Sequence, residues 1–149
     1  MAGQVQTYLT FTGCAEEALN FYAGVFGSKI ESIMRWGDMP TAEGDAPMPD
    51  NVKNLVMNSQ VLILGGHPVM IADMPDAGLD EAFEPVVVGN NVTIVLSPAS
   101  RAEADQLFAS LSAGGKVRMP MAEMFWGDYY GEVTDKFGVR WMIDTPAKD

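Results

Sequence analysis

Apolar and polar positions nearly alternate over Thr7–Thr12 (Thr-Tyr-Leu-Thr-Phe-Thr), a β-branched and aromatic run that predicts a strand. The period then changes. Ala15, Ala18, Leu19, Tyr22, Val25 and Phe26 recur at helical spacing and make one apolar stripe. Glu16 and Glu17 place negative charge in the first turn, where the helix dipole favours it, and Gly27 offers a C-terminal stop. Lys29–Arg35 reads as a second strand. Thr41–Asn54 carries Pro47, Pro49, Gly44 and the carboxylates Glu43, Asp45 and Asp50, which predicts a long loop. Leu55–Leu64 and Pro68–Ala72 read as a hairpin turned at Gly65-Gly66-His67-Pro68, and Pro75–Asn90 as an irregular stretch at the midpoint.

The second half repeats this order. Val92–Leu96 predicts a strand, and Ser100-Arg101-Ala102-Glu103 matches a capping box at a helix start. Ala104, Leu107, Phe108 and Leu111 supply the apolar face of that helix, and Gly114-Gly115 ends it. Three strands follow, at Lys116–Met121, Tyr130–Thr134 and Val139–Ile143, the last two joined by Asp135-Lys136-Phe137-Gly138.

Short matches between the halves support a duplication. Gly27-Ser28-Lys29-Ile30 corresponds to Gly114-Gly115-Lys116-Val117, and Trp36-Gly37-Asp38 to Trp126-Gly127-Asp128. Gly66-His67-Pro68-Val69-Met70-Ile71 and Gly138-Val139-Arg140-Trp141-Met142-Ile143 share their Gly and Met-Ile spacing. The expected fold class is therefore α+β: two β-α-β-β-β modules paired about a pseudo-twofold axis around a cavity. Residues 1–149 form one domain in this reading, with modules at 1–75 and 91–149 and an irregular linker at 76–90.

Composition narrows the function classes. The 149 residues carry 20 acids against nine Lys and Arg, a formal charge of −11. Such a surface repels phosphate backbones and anionic lipid, so nucleic-acid and membrane partners are not expected. A single cysteine excludes an internal disulfide framework, and no apolar run approaches the roughly 20 residues of a membrane span. Without a basic and then apolar N-terminal pattern, a cytoplasmic location is expected.

Several residues invite chemistry, each beside a plainer role. His67 is the one histidine, so any Ser–His or Cys–His pair must use it; at a hairpin tip it reads as an exposed turn residue. Cys14, at a helix start, is either a thiol of lowered pKa or a small residue near the cap. Trp36, Trp126, Tyr129 and Tyr130 either stack an aromatic or cationic ligand or fill a seam. Met34, Met57, Met70, Met119, Met121, Met124 and Met142 lie on or beside strands, as core or as an adaptable pocket. Asp128 and Glu132 are surface carboxylates unless burial makes one an acid or base.

With these residues placed, the chain resembles the vicinal oxygen chelate superfamily of glyoxalases, bleomycin-resistance proteins and extradiol dioxygenases, and within it the PhnB-like group. The resemblance spans nearly the whole length. It rests on Tyr8-Leu9-Thr10-Phe11 leading to Cys14-Ala15-Glu16-Glu17-Ala18 and Phe21-Tyr22, on Phe125-Trp126, and most specifically on Val133-Thr134-Asp135-Lys136-Phe137-Gly138 with Trp141-Met142-Ile143. It implies the paired β-α-β-β-β fold, often in a homodimer. Metal-using relatives place a His, Gln or Glu on each of four strands. Carried over, these positions fall at Gln6, near Asn58, near Asn91 or Val92, and at Met142. A thioether and an Asn amide are poor partners for Zn, Ni, Fe or Mn, and a catalytic site needs three good ligands. No metal and no other cofactor is expected. PhnB-like chains have been labelled demethylubiquinone methyltransferases, but no glycine-rich turn joins a strand to a helix here.

The resulting expectation is a metal-independent small-molecule-binding protein, homodimeric, with Gln6, Tyr8, Asn58, Trp126, Asp128, Tyr129, Tyr130 and Met142 as ligand-binding candidates. A metal-dependent lyase or dioxygenase and a structural protein with an occluded cavity are the alternatives.

Overall fold

Thr7–Phe11 forms β1, Ala15–Phe26 α1, Ile30–Arg35 β2, Asp50–Lys53 a one-turn α2, Val56–Leu62 β3 and Pro68–Asp73 β4. Ile94–Leu96 forms β5, Arg101–Ser112 α3, Lys116–Glu123 β6, Asp128–Thr134 β7 and Arg140–Pro146 β8. The computed structural model describes residues 2–40, 42–75 and 84–146. They divide into two units, one within Met1–Val86 and one within Val87–Asp149. Each unit holds one four-stranded mixed sheet, ordered β1-β4-β3-β2 in the first and β5-β8-β7-β6 in the second. In both, the first strand runs parallel to the last and the other neighbours are antiparallel. The result is an α+β architecture of two β-α-β-β-β modules.

Each helix covers one face of its own sheet. The stripe on α1 buries Ala15, Ala18, Leu19 and Tyr22 in a core with Val61, Val69 and Ile71. Gly27 ends this helix at φ +63°, a left-handed conformation that costs glycine little, and the next amide donates back to Ala23. On α3, Ser100 Oγ accepts from the Glu103 amide at 3.1 Å, while the Glu103 carboxylate accepts from Ala99 N–H at 3.0 Å. Buried Ala104, Leu107 and Leu111 meet Val133, Trp141 and Ile143 within this module. Gly131 on β7 allows α3 to approach: a Cβ there would lie 2.9 Å from the Phe108 ring and 2.5 Å from Met121 Sδ.

Two buried aspartates organise the strand ends. Asp73 accepts from the Ala15 and Val56 amides through its carboxylate and from Trp36 Nε1 through its carbonyl. Asp135 accepts from the Phe137 and Val139 amides and from the buried indole of Trp141. Each replaces local backbone partners that a strand end lacks.

The structure corrects several expected boundaries. The Thr41–Asn54 loop contains α2, whose Val52 is buried and whose Lys53 lies 2.8 Å from Asp50. The strand expected from Val92 begins at Ile94, where pairing to Trp141 starts; Val92 itself is exposed. The final hairpin is longer than its β-branched cores, because Asp128↔Pro146 and Tyr129↔Thr145 extend the ladder. Strand β6 runs on to Glu123 as an edge, interrupted by bulges and Pro120, devices that discourage further pairing. Of the expected linker at 76–90, residues 76–83 lie outside the described residues.

Candidate functional site

Residues directly opposite on neighbouring strands share a face of the sheet. In the first module this places Tyr8, Met70, Gln60 and Ser32 in one row across the face opposite α1. In the second module the topologically equivalent row is Val95, Met142, Glu132 and Met119. The Met70 and Met142 of the sequence repeat are thus equivalent positions, each on the last strand of its module. Tyr8 is 52 % exposed, Val95 56 % and Met119 38 %.

The second face continues into an aromatic group. Tyr130 lies opposite both Asp144 and Ala122, one step along from the Met142 row. The turn before β7 is closed by bonds from Met124 N–H to Asp128 O and from Gly127 N–H to Met124 O, with Gly127 at φ +100°. This turn brings the Trp126 ring edge-on to Tyr130 at 5.8 Å, and Phe125 edge-on to Trp126 at 4.9 Å. Phe125 is 97 % exposed and Trp126 half-exposed, which is unusual for turn residues, since polar types dominate there.

Carboxylates flank these rings. Burial, then a hydrogen bond and like charge from Asp128, push the Asp144 carboxyl above the ordinary range. Its Oδ1 is shielded from solvent and has no hydrogen-bond partner. Burial first, then the charges of Glu132 and Asp144, push the Tyr130 phenol up as well.

The sequence candidates divide accordingly. Trp126, Asp128, Tyr130 and Met142 fall on one face of the second module. Tyr129 does not join them: neighbouring strand residues point to opposite faces, and its hydroxyl donates to Asp105 of α3 at 2.6 Å with Arg101 4.6 Å from the ring centroid. Tyr8 lies on the open face of the first module. Asn58, exposed and opposite Met34, shares that face two residues beyond Gln60. Gln6 precedes β1 and is exposed.

Gln60, Val95 and Asp144 escaped the sequence reading. For Gln60 the signal was present: it precedes Met70 by the same interval as Glu132 precedes Met142, so equal hairpins place them alike.

The metal ligand set implied by the resemblance does not fit these positions. Gln6 and Asn58 are separated by about four residues along the strands and two strands across, on the order of 16 Å between backbones. Ligands of one ion lie about 2 Å from it. Asn91 and Val92 are exposed and lie before β5, and Met142 faces Val95. Among the described residues, no three His, Cys, Asp or Glu side chains are grouped to hold an ion.

The nucleophile candidates separate too. His67 is half-buried rather than fully exposed, and its Nε2 lies 2.8 Å from Thr7 Oγ1 at the start of β1. Cys14 follows the far end of that strand, roughly 13 Å or more away, so no Cys–His pair forms. Burial, then Asp73 and Glu17, raise the Cys14 thiol pKa, opposite to the shift an activated thiol needs.

Similarity to known proteins agrees with this architecture. The family model of the Glyoxalase/Bleomycin resistance protein/Dioxygenase superfamily matches residues 4–143. Protein YjdN of Escherichia coli (strain K12) is 30% identical over 145 residues, covering 92% of this chain and 91% of its own length. The crystal structure of PA1353 from Pseudomonas aeruginosa is 30% identical, with a TM-score of 0.76 over 99% of this chain and 100% of that one. A Bacillus cereus PhnB protein, described as a putative 3-demethylubiquinone-9 3-methyltransferase, shares the fold at 24% identity and a TM-score of 0.64, over 96% and 99% of the two chains. No helix among the described residues is long and apolar enough to cross a membrane. The chain belongs to the Glyoxalase/Bleomycin resistance protein/Dioxygenase superfamily.

Proposed function

We propose that this chain is a metal-independent small-molecule-binding protein of the glyoxalase/bleomycin-resistance type, its ligand held on the open sheet faces. One observation carries the reading. The equivalent central rows hold Tyr8, Met70 and Gln60 in one module and Val95, Met142 and Glu132 in the other. One phenol ring, two thioethers, a valine, an amide and one carboxylate suit an adaptable binding surface better than a site for a hard cation. A homodimer belongs to the same reading and is checked by sedimentation equilibrium.

Two measurements test the proposal together. Elemental analysis of protein purified without chelator should find no stoichiometric transition metal. A thermal-shift screen should find organic compounds, but not divalent metals, that raise Tm, since only species binding the native state do so. One tightly held transition metal per chain, or a screen that responds to metals alone, would overturn the reading.

A further inference from the structure

The open face of the second module carries a pattern that its counterpart lacks. The first module's central row is neutral (Tyr8, Met70, Gln60 and Ser32), whereas the second carries Glu132 and is flanked by Asp128 and Asp144. Around these acids stand exposed Val95, Met119, Phe125 and Trp126, with Tyr130 between Trp126 and Asp144. Two basic residues, Arg140 and Lys116, lie at the far end of the strands, and exposed Arg118 sits in the β6 bulge beside Met119. Arg140 and Lys116 flank Thr134, and Arg140 already donates to the Asn90 carbonyl.

Three features of this arrangement converge. Aromatic rings left open to solvent attract the positive end of a ligand and its apolar body together. Asp128, opposite Pro146, and Asp144, in the row of Tyr130 and Ala122, have no cationic side chain in their own strand rows. The Asp144 carboxyl, only partly buried, hydrogen-bonds Asp128 and is pressed against its like charge, while its Oδ1 atom is out of solvent contact and has no partner. Two carboxyls this close repel when both are charged, and a cation placed between them relieves that repulsion. An ammonium group supplies that positive charge and an N–H that Asp144 Oδ1 can accept.

We infer that this face binds an organic cation, a protonated amine whose apolar part lies against Trp126 and Tyr130 and whose ammonium meets Asp128 and Asp144. This names the ligand class for the site proposed above and rests on that reading. Affinity comes from ring contact, and selection for positive charge comes from the acids.

The test uses the full-length ¹⁵N-labelled protein titrated with 2-phenylethylamine, 2-phenylethanol and phenylacetate, three probes of nearly the same shape and different charge. The amine should shift the Trp126 indole N–H resonance and bind at least about tenfold more tightly than the alcohol, as expected when a charge-assisted hydrogen bond adds to ring contact. Phenylacetate should bind more weakly still. Asp144→Asn and Trp126→Ala should each lose about tenfold or more in amine affinity, with the rest of the spectrum unchanged. Glu16→Gln, which removes one charge from the distant α1 surface, should lose none.

Equal binding of amine and alcohol at Trp126 would overturn the cation assignment and leave the ligand-binding reading standing. Amine binding that survives both Asp144→Asn and Trp126→Ala would overturn it equally. If all three probes leave Trp126 unmoved while other compounds raise Tm, the assignment fails alone. If no compound in either experiment binds, the underlying reading fails with it.

Discussion

Replacing Asp135 with Ala tests the claim that one carboxylate closes the final hairpin of the second module. Asp135 is 3 % exposed, and its Oδ1 accepts from the Phe137 amide at 2.9 Å and the Val139 amide at 3.1 Å. Its Oδ2 accepts from Trp141 Nε1 at 2.9 Å, and that indole is 1 % exposed. Truncation to Ala orphans all three donors. A buried donor without a partner costs about 1–3 kcal/mol, and the indole N–H stands nearest the upper end because water has no route to it. The two turn amides are partly accessible and regain hydration, so each adds about 0.5 kcal/mol. The expected loss is therefore about 3–4 kcal/mol, an exceptional value for one polar side chain.

Urea denaturation followed by tryptophan fluorescence and far-ultraviolet circular dichroism measures this loss. For a chain of this length it corresponds to a fall in Tm of roughly 10 °C. Trp141→Phe removes the donor together with its ring N–H, and the double variant should be less destabilised than the two single losses summed, by about 1–2 kcal/mol. A change below about 0.5 kcal/mol for Asp135→Ala would refute the reasoning, because it would mean that water or a relaxed backbone satisfies the three donors as well as the carboxylate does.

Two further outcomes are expected. Asp144→Asn should raise Tm by a few degrees near neutral pH, the usual scale of a relieved surface-charge conflict. The folded-state pKa of Asp144 is raised above its ordinary 3.8, so the native state binds the extra proton and wild-type stability falls as pH rises above that value. The gain from Asn should accordingly shrink below pH 3.8, and a pH-independent gain would contradict the linkage. Cys14, held protonated by burial and the nearby acids, should react with a thiol reagent at pH 8 several-fold more slowly than a free cysteine; equal or faster labelling would contradict this environment.

Much of the fold was legible because the sequence states it twice. The α1 stripe, Gly27, the Ser100–Glu103 cap and the Met-Ile repeat each have one local cause, and local causes survive into the structure. Strand ends were less legible. Val92 looks like β5 by composition, yet only Ile94–Leu96 finds a partner in β8, and pairing is a property of the ladder rather than the segment. The site was legible in its aromatic part and obscure in its polar part. Tyr129 and Tyr130 are indistinguishable in a one-dimensional pattern until register assigns one to α3 and the other to the open face. Asp144 has no motif of its own; its importance arises because β8 sets it opposite Tyr130 and beside Asp128.

The divergence of the two central rows constrains how selectivity can arise in a duplicated fold. Both modules keep a methionine on their last strand, and both seal the opposite face with a helix, so the frame is held in common. At the row positions beside that methionine, Tyr8 is matched by Val95, Gln60 by Glu132 and Ser32 by Met119. Gln60 and Glu132 differ in charge but hardly in shape, so either face could accommodate a similar outline while only one repels an anion. Glu132→Gln would make the second row neutral like the first while leaving Asp128 and Asp144 in place. It should therefore weaken amine binding less than Asp144→Asn does, because Glu132 lies in the neighbouring row rather than opposite Tyr130. A larger loss from Glu132→Gln would move the ammonium toward Met142 and away from the aspartate pair.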